Sequence, residues 1–237
     1  MKTSCLLSLL LGILCLPNAG SAQGLTAIHN PLVEDTTKVE LSQTEKNIMN
    51  RLALPKVRKR LASQDFCEES FEPAAVLHGS FTRARAEQTI IFYQYCQTGN
   101  GLGEVGVVLI EGTKMLGNYI ADTGWSVGGK TLPDINRNGL DEFSLYYSGG
   151  IHQGAGGTGV DIMEFAPAGL KALGWFQADS FSDDGNDFSY QVSVRPGKTP
   201  VFYRQKYVSN DSGKFTRVGR QTAFRLSKAV SNFEAVK

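Results

Sequence analysis

From about residue 66 to residue 228 the chain is a series of short apolar runs, rich in β-branched and aromatic residues, separated by clusters of Gly, Asn, Asp and Pro. That texture predicts an antiparallel β domain. The runs place strands over 74–81, 88–96, 105–111, 115–121, 142–148, 159–165, 170–176, 188–195, 200–208 and 214–219. Residues 210–213 (Asn-Asp-Ser-Gly) read as a hairpin turn between the last two. Ahead of this domain the pattern differs. Ser42-Gln43-Thr44-Glu45 fits a capping box, and Ile48 and Leu52 follow four residues apart. A short amphipathic helix over 43–54 is expected, which Pro55 ends or kinks. The basic run 56–60 then reads as the solvated face of a second helical turn rather than as a site for an acidic partner.

The strands repeat. Thr89-Ile90-Ile91-Phe92-Tyr93 corresponds to Phe143-Ser144-Leu145-Tyr146-Tyr147, and a Gly-rich stretch follows each. Gly101, Gly103 and Gly106 recur as Gly154, Gly156 and Gly159 at a constant offset of 53. Val107–Glu111 recurs as Val160–Glu164, and Leu116-Gly117-Asn118-Tyr119 as Leu173-Gly174-Trp175-Phe176. A more degenerate third unit is expected over about 180–225, with Phe202-Tyr203 as its aromatic strand. Units of about 55 residues have the size of a propeller blade, and a closed propeller needs about four. The chain has room for about three, so the expected fold is mainly β: antiparallel blade-like repeats forming an incomplete propeller or a sandwich, with a short N-terminal helical segment.

The N-terminus addresses the chain for export. Lys2, an apolar stretch over 6–16, Pro17 and the small residues 19–22 form a signal peptide cut after Ala22. The apolar stretch falls short of the roughly 20 residues that span a bilayer, and no membrane span is expected later. Leu14 argues against lipidation at Cys15. A secreted or periplasmic location follows. Residues 23–41 form a flexible lead-in, 42–65 a helical arm, 66–228 the β repeats and 229–237 a C-terminal tail. Export leaves Cys67 and Cys96, which read as one disulfide. The whole chain carries 24 basic and 23 acidic residues, which gives no reason to expect nucleic acid as a partner.

Three familiar patterns match without their structural context. The Gly101–Gly106 and Gly154–Gly159 runs fit a dinucleotide fingerprint, and 124–131 fits a P-loop, but strand-like or turn-rich sequence follows each where a helix is required. The glycines read as hairpin closers instead. Residues 124–128 also fit a nucleophile elbow around Ser126, again without a helix, and no histidine follows His152.

Residues 134–142 are more informative. Asp134, Asn136 and Asn138 offer oxygens at positions one, three and five, Gly139 allows the sharp turn, Leu140 offers its carbonyl, and Glu142 supplies an acid. That set suits calcium, although the loop runs into a strand rather than an EF-hand helix. An Asn/Asp/Gly turn that satisfies its own backbone is the competing reading. The arrangement resembles the FG-GAP or VCBS repeats of integrin-α-type propellers, in which such a loop precedes a strand of each blade. Residues 80–87 are a degenerate counterpart, with Arg83, Ala84 and Arg85 where ligands would stand. The resemblance implies an extracytoplasmic β module, often calcium-binding and engaged in adhesion or protein recognition. With two asparagines in the loop, calcium would be held weakly, at about 10⁻⁴–10⁻³ M.

The remaining signals are fainter. The acidic stretch 179–187 matches no ligand spacing and reads as a solvated turn. His152 reads as a loop histidine. Trp125, Trp175, Tyr146 and Tyr147 are candidates for an aromatic platform, against a role in the core. The expected function is an exported, non-catalytic binding or accessory module that recognises a protein or glycan; the alternative is a secreted hydrolase whose site the sequence does not assemble.

Overall fold

The computed structural model describes residues 24–33, 39–64, 67, 70–99, 101–150, 155–183, 187–210, 214–229 and 231–237. The expected signal peptide, His152 and the tip of the expected hairpin at 211–213 lie outside them. All ten expected strands are present, and the protein is mainly antiparallel β. In chain order the strands are β1 (Thr26–His29), β2 (Glu72–Gly79), β3 (Gln88–Gly99), β4 (Leu102–Glu111), β5 (Lys114–Thr123), β6 (Trp125–Leu132), β7 (Glu142–Ser148), β8 (Ala155–Ala166), β9 (Gly169–Ser182), β10 (Phe188–Arg195), β11 (Val201–Ser209), β12 (Phe215–Phe224) and β13 (Glu234–Ala235).

Pairing sorts them into three four-stranded meanders. The first is β2-β3-β4-β5, with β13 added at its outer edge. The second is β6-β7-β8-β9. In the third, β10, β11 and β12 run in order, and β1 supplies the missing first strand by pairing with Val192–Val194 of β10. β10 pairs with β9 only through Phe188 and Ser189, so the ladder joining the second and third units is short. The first strands lie together: Thr131 Oγ1 of β6 donates to the His78 carbonyl of β2 at 3.0 Å, and Lys130 Nζ to the Ala27 carbonyl of β1 at 3.3 Å.

Each interface between units is a core, because alternate strand residues face opposite ways. Ile90, Phe92, Val105 and Val107 of the first unit meet Phe143, Leu145, Met163 and Phe165 of the second. The opposite face of the second unit carries Val160, Ile162, Phe176 and Ala178, which meet Val192, Val194, Phe202 and Ile28 of the third. The helical arm covers the other apolar face of the first unit through Ile48, Met49, Ala53, Leu54, Val57 and Leu61. The disulfide Cys67–Cys96, with Cα atoms 5.4 Å apart, ties the end of this arm to β3.

Six features depart from the sequence reading. The helix does not stop at 54: α1 (Gln43–Ile48) passes through a π-helical segment, Met49–Ala53, into α2 (Leu54–Leu61). Pro55 lacks an N–H and crowds the carbonyl four residues back, and the wider turn just ahead of it accommodates both. The extra residue also shifts the apolar stripe, so Leu52 is exposed and Ala53 is buried. β6 occupies the stretch read as a loop. Residues 23–41 contain β1, and the C-terminal segment is strapped to the sheets: Ser227 pairs with Trp175 of β9, Ser231 hydrogen-bonds the buried Asp161, and β13 pairs with β5. Phe202-Tyr203 lie on the third strand of their unit, whereas the position matching β3 and β7 belongs to β10. Finally, Gly103, Gly106, Gly156 and Gly159 lie within strands rather than at hairpins. The rings of Tyr93 and Trp175 lie over Gly106 and Gly159, where a Cβ would stand.

Candidate functional site

The turn at 134–142 leads directly into β7, as expected of the repeat loop. Asp134 accepts from the backbone N–H groups of Asn138 (2.9 Å) and Gly139 (2.8 Å). Asn136 Oδ1 accepts from Asn138 N–H at 3.0 Å, and Asn138 Oδ1 from Leu140 N–H at 2.8 Å. Arg137 and Gly139 take left-handed conformations, with φ of 62° and 90°. Glu142 lies beneath the turn, fully buried. Its Oε2 accepts from Ile135 N–H at 2.7 Å, while Oε1 has no hydrogen-bond partner among the described residues. Burial pushes its carboxyl up to about 7, helped by the neighbouring Asp134 and Glu164 charges and opposed by the Ile135 and Asn136 amides. Glu164, on β8, receives Nδ2 of Asn136 and of Asn138 and is paired with Lys171 at 2.9 Å.

The turn before β3 has the same design. Gln88 Oε1 accepts from the N–H groups of Phe81 and Thr82, both at 2.9 Å, seven and six residues back. Ile135 stands seven residues before Glu142. Phe81 and Ile135 are both fully buried. Glu111, at the end of β4, takes the place that Glu164 takes at β8. Here Gln88 Nε2 donates to Glu111 at 2.9 Å, and Arg83 pairs with the same carboxylate. Hydrogen bonds from Arg83 and Gln88 hold Glu111 below its ordinary range. The first turn is therefore internally satisfied, whereas the second leaves an acid facing acids. The two turns also touch: Ser80 N–H donates to Asp141 at 2.7 Å, and Asp141 N–H to the Ser80 carbonyl.

Asp134, Asn136, Asn138, Leu140 and Glu142 are thus brought around one turn. Among the described residues no cluster of three or more Asp, Glu, His or Cys side chains gathers in ligand geometry. A cation here would draw on amide and carbonyl oxygens as well as carboxylates, as the residue types already implied. The orphaned, buried Oε1 of Glu142 fits such a group, because it is an oxygen that lacks a positive partner.

A second feature was missed in the sequence. An open cleft of about 300 Å³ lies at one end of the second unit, lined by Gly124, Gly149, Gly156, Gly159, Tyr147 and Trp175 among others. The glycines expose backbone along it, and the half-buried Trp175 lies against Gly159 with its indole N–H unpaired among the described residues. The other aromatic candidates do not join Trp175 in an exposed platform. Tyr147 is buried, Tyr146 faces the opposite core and donates to the Ile28 carbonyl, and Trp125 donates to the Leu102 carbonyl. Ser126 is bonded to Gln94 through both N–H and Oγ. The stretch read as a solvated turn begins instead within β9: Asp179 accepts across the ladder from Thr158 N–H of β8, while Asp187 accepts from Ser182 N–H, and residues 184–186 lie outside the described residues. The repeated glycines carried the signal for the cleft; that one copy opens and the other is filled depends on packing.

The fold and these sites define an open, three-unit antiparallel β protein, strapped by its own C-terminus. Comparison with protein-family models, with curated proteins and with solved structures finds no match.

Proposed function

We propose that this chain is an exported, non-catalytic recognition module, secreted or periplasmic, that uses the cleft beside Trp175 to hold a glycan or a segment of protein. The observation that carries this reading is the cleft itself. Glycine backbone and an indole N–H without a partner among the described residues offer polar contacts at an apolar wall, the mixture that ligand sites of about 300 Å³ and larger use. Of the two ligand classes the glycan is favoured, because an aromatic wall that carries its own N–H donor suits a sugar ring's apolar face and hydroxyls. The disulfide supports an oxidising compartment. Two matched turns, each entering the second strand of a four-stranded unit, support the FG-GAP-like reading. In that reading Asp134, Asn136, Asn138, the Leu140 carbonyl and Glu142 hold one structural calcium.

The test uses the Trp125→Phe chain, in which Trp175 is the one tryptophan left of two. Titration with soluble tri- and tetrasaccharides, neutral, amino and acidic, is expected to give a saturable shift in indole emission that Gly159→Ala abolishes. No shift with any of them, and none with extended peptides, overturns the cleft as a ligand site.

A further inference from the structure

The outer edges of the three units are treated differently. In the first, β5 is covered by β13. In the second, β9 receives Ser227, whose N–H and carbonyl both bond Trp175. In the third, β12 has β11 on one side and no strand on the other among the described residues. Thr216, Arg217, Val218, Gly219, Arg220, Gln221, Thr222 and Ala223 are all exposed. Twice the fold lays an extended segment of its own against an outer edge; the third edge is open.

Charge says what would lie there. The balanced total hides a segregation. Between Phe188 and Lys228 nine lysines and arginines stand against one acid, Asp211. From Gly101 to Asp187 twelve acids stand against four basic residues. The second unit's acids are largely engaged in place. Glu142 and Asp161 are buried, Glu164 is paired with Lys171, and Asp134, Asp179 and Asp187 accept backbone N–H groups. The third unit's cations have no such partners. Among the described residues none of the nine forms an ion pair. Several are instead held over rings: Arg204 over Tyr190 and Phe224, Lys206 over Phe188, and Arg195 over Tyr203. Such contacts fix the cation without neutralising it.

The cations lie on both faces of the sheet formed by β11 and its edge strand β12. Arg217 is the cross-strand partner of Tyr207, while Lys206 partners Val218, one residue along and on the opposite face. A flat anionic surface meets only one of these faces. An added strand presents alternate side chains to both. We infer that the free edge of β12 docks an acidic, extended segment of a partner protein by strand addition. The backbone supplies the pairing, and Asp or Glu of the segment meets Arg217 and Arg220, the cations of β12 itself, within the wider positive field of Arg204 and Lys206 on β11. The same cations, with the irregular pairing at Gly219, disfavour pairing of two β12 strands with each other. This surface is separate from the Trp175 cleft, and the inference does not rest on that reading.

The test is fluorescence anisotropy on the purified chain with a labelled twelve-residue peptide alternating Glu with Val and Thr. Three further peptides accompany it: one with Lys for Glu, one N-methylated at alternate residues, and one with the acidic composition scrambled around prolines. Binding by the Glu peptide, weakened about tenfold or more by Arg217→Glu/Arg220→Glu and lost on N-methylation, is the expected result. Amide exchange should slow in β12 and leave β5 and β9 unchanged. Equal binding by the Lys or proline peptide, or binding with no protection of β12, overturns strand addition. Binding to phosphatidylglycerol vesicles without binding to the Glu peptide overturns the choice of partner. The substituted arginines are exposed, and an unchanged melting temperature shows that the variant is folded.

Discussion

The turns before β3 and β7 are one device built twice, with one atom changed. In each, a buried apolar residue plugs the turn, and a side-chain oxygen seven residues on accepts the first two backbone N–H groups. In the first turn that oxygen belongs to an amide, and the amide nitrogen satisfies Glu111. In the second it belongs to a carboxyl, and no donor remains for the facing acids except the two asparagines and Lys171. Replacing NH₂ by O turns a closed hydrogen-bond network into one that needs a proton or a cation. The backbones differ in detail, with Arg85 left-handed in the first turn and Arg137 and Gly139 in the second, but the plug and the accepting oxygen are shared, so the chemistry is set by the side chain that carries that oxygen.

The shared plug gives the largest effect. Phe81→Ala and Ile135→Ala each empty a fully buried site beneath a turn and should cost about 3–5 and 2–5 kcal/mol, read from urea melts. If one variant costs less than about 1 kcal/mol, the two turns are not equivalent supports. The next effect separates the units. The disulfide closes 29 residues of separation on the first unit and should contribute about 3.5 kcal/mol. Cys67→Ser/Cys96→Ser should lose that stability, and exchange protection should fall first in α2 and β3 while β7 and β8 keep theirs. Uniform loss across both units would show that the stack unfolds as one body.

Glu142 gives the sharpest contrast. Its carboxyl stands at about 7 in the fold against 4.5 when unperturbed, so the folded state holds the proton more tightly. Stability from this group is therefore full below pH 4.5 and falls as pH rises through 7, by up to about 3 kcal/mol. Glu142→Gln copies the first turn and should remove that slope. Gln88→Glu should create one, since it sets a second acid against Glu111. His29, lowered to about 4 by burial and by Lys130, contributes in the opposite sense: its share is lost as pH falls from 6.5 to 4. The difference between Glu142→Gln and the parent chain at pH 5 and at pH 8 isolates Glu142, and equal stability differences at both would mean that the buried acid is already compensated.

Much of the fold was legible because alternation and turn residues are local signals. The ten expected strands needed nothing more. β6 was hidden because Gly124, Gly128 and Gly129 look like a loop, yet β7 and the neighbouring β2 hold the stretch extended. β1 is four residues long and acquires meaning only against β10, more than 160 residues away. The constant offset of the repeat linked Glu111 with Glu164 in the sequence, but not the amide-for-acid change that sets them apart. Nor could overall charge balance show that the third unit is basic and the second acidic, because the two cancel.

Calcium gives the smallest shift and decides what the second turn is for. If the turn binds with a Kd of about 1 mM, 10 mM calcium adds about 1.4 kcal/mol, which raises Tm by about 3–5 °C in a chain of this size. Magnesium should do less, because it demands a tighter octahedron and keeps its water. Asp134→Ala should abolish the shift. Glu142→Gln should reduce it while raising stability in EDTA, because the amide supplies by hydrogen bonding part of what the cation supplies by charge. The first turn, with Ala84 where the second has Asn138 and Arg83 paired with the facing Glu111, should contribute nothing, so Gln88→Glu should leave the calcium response unchanged. A calcium shift that survives both Asp134→Ala and Glu142→Gln would place the ion elsewhere. No shift at 10 mM would leave Glu142 as a buried acid that the fold keeps protonated, with the difference between the two turns a matter of pH alone.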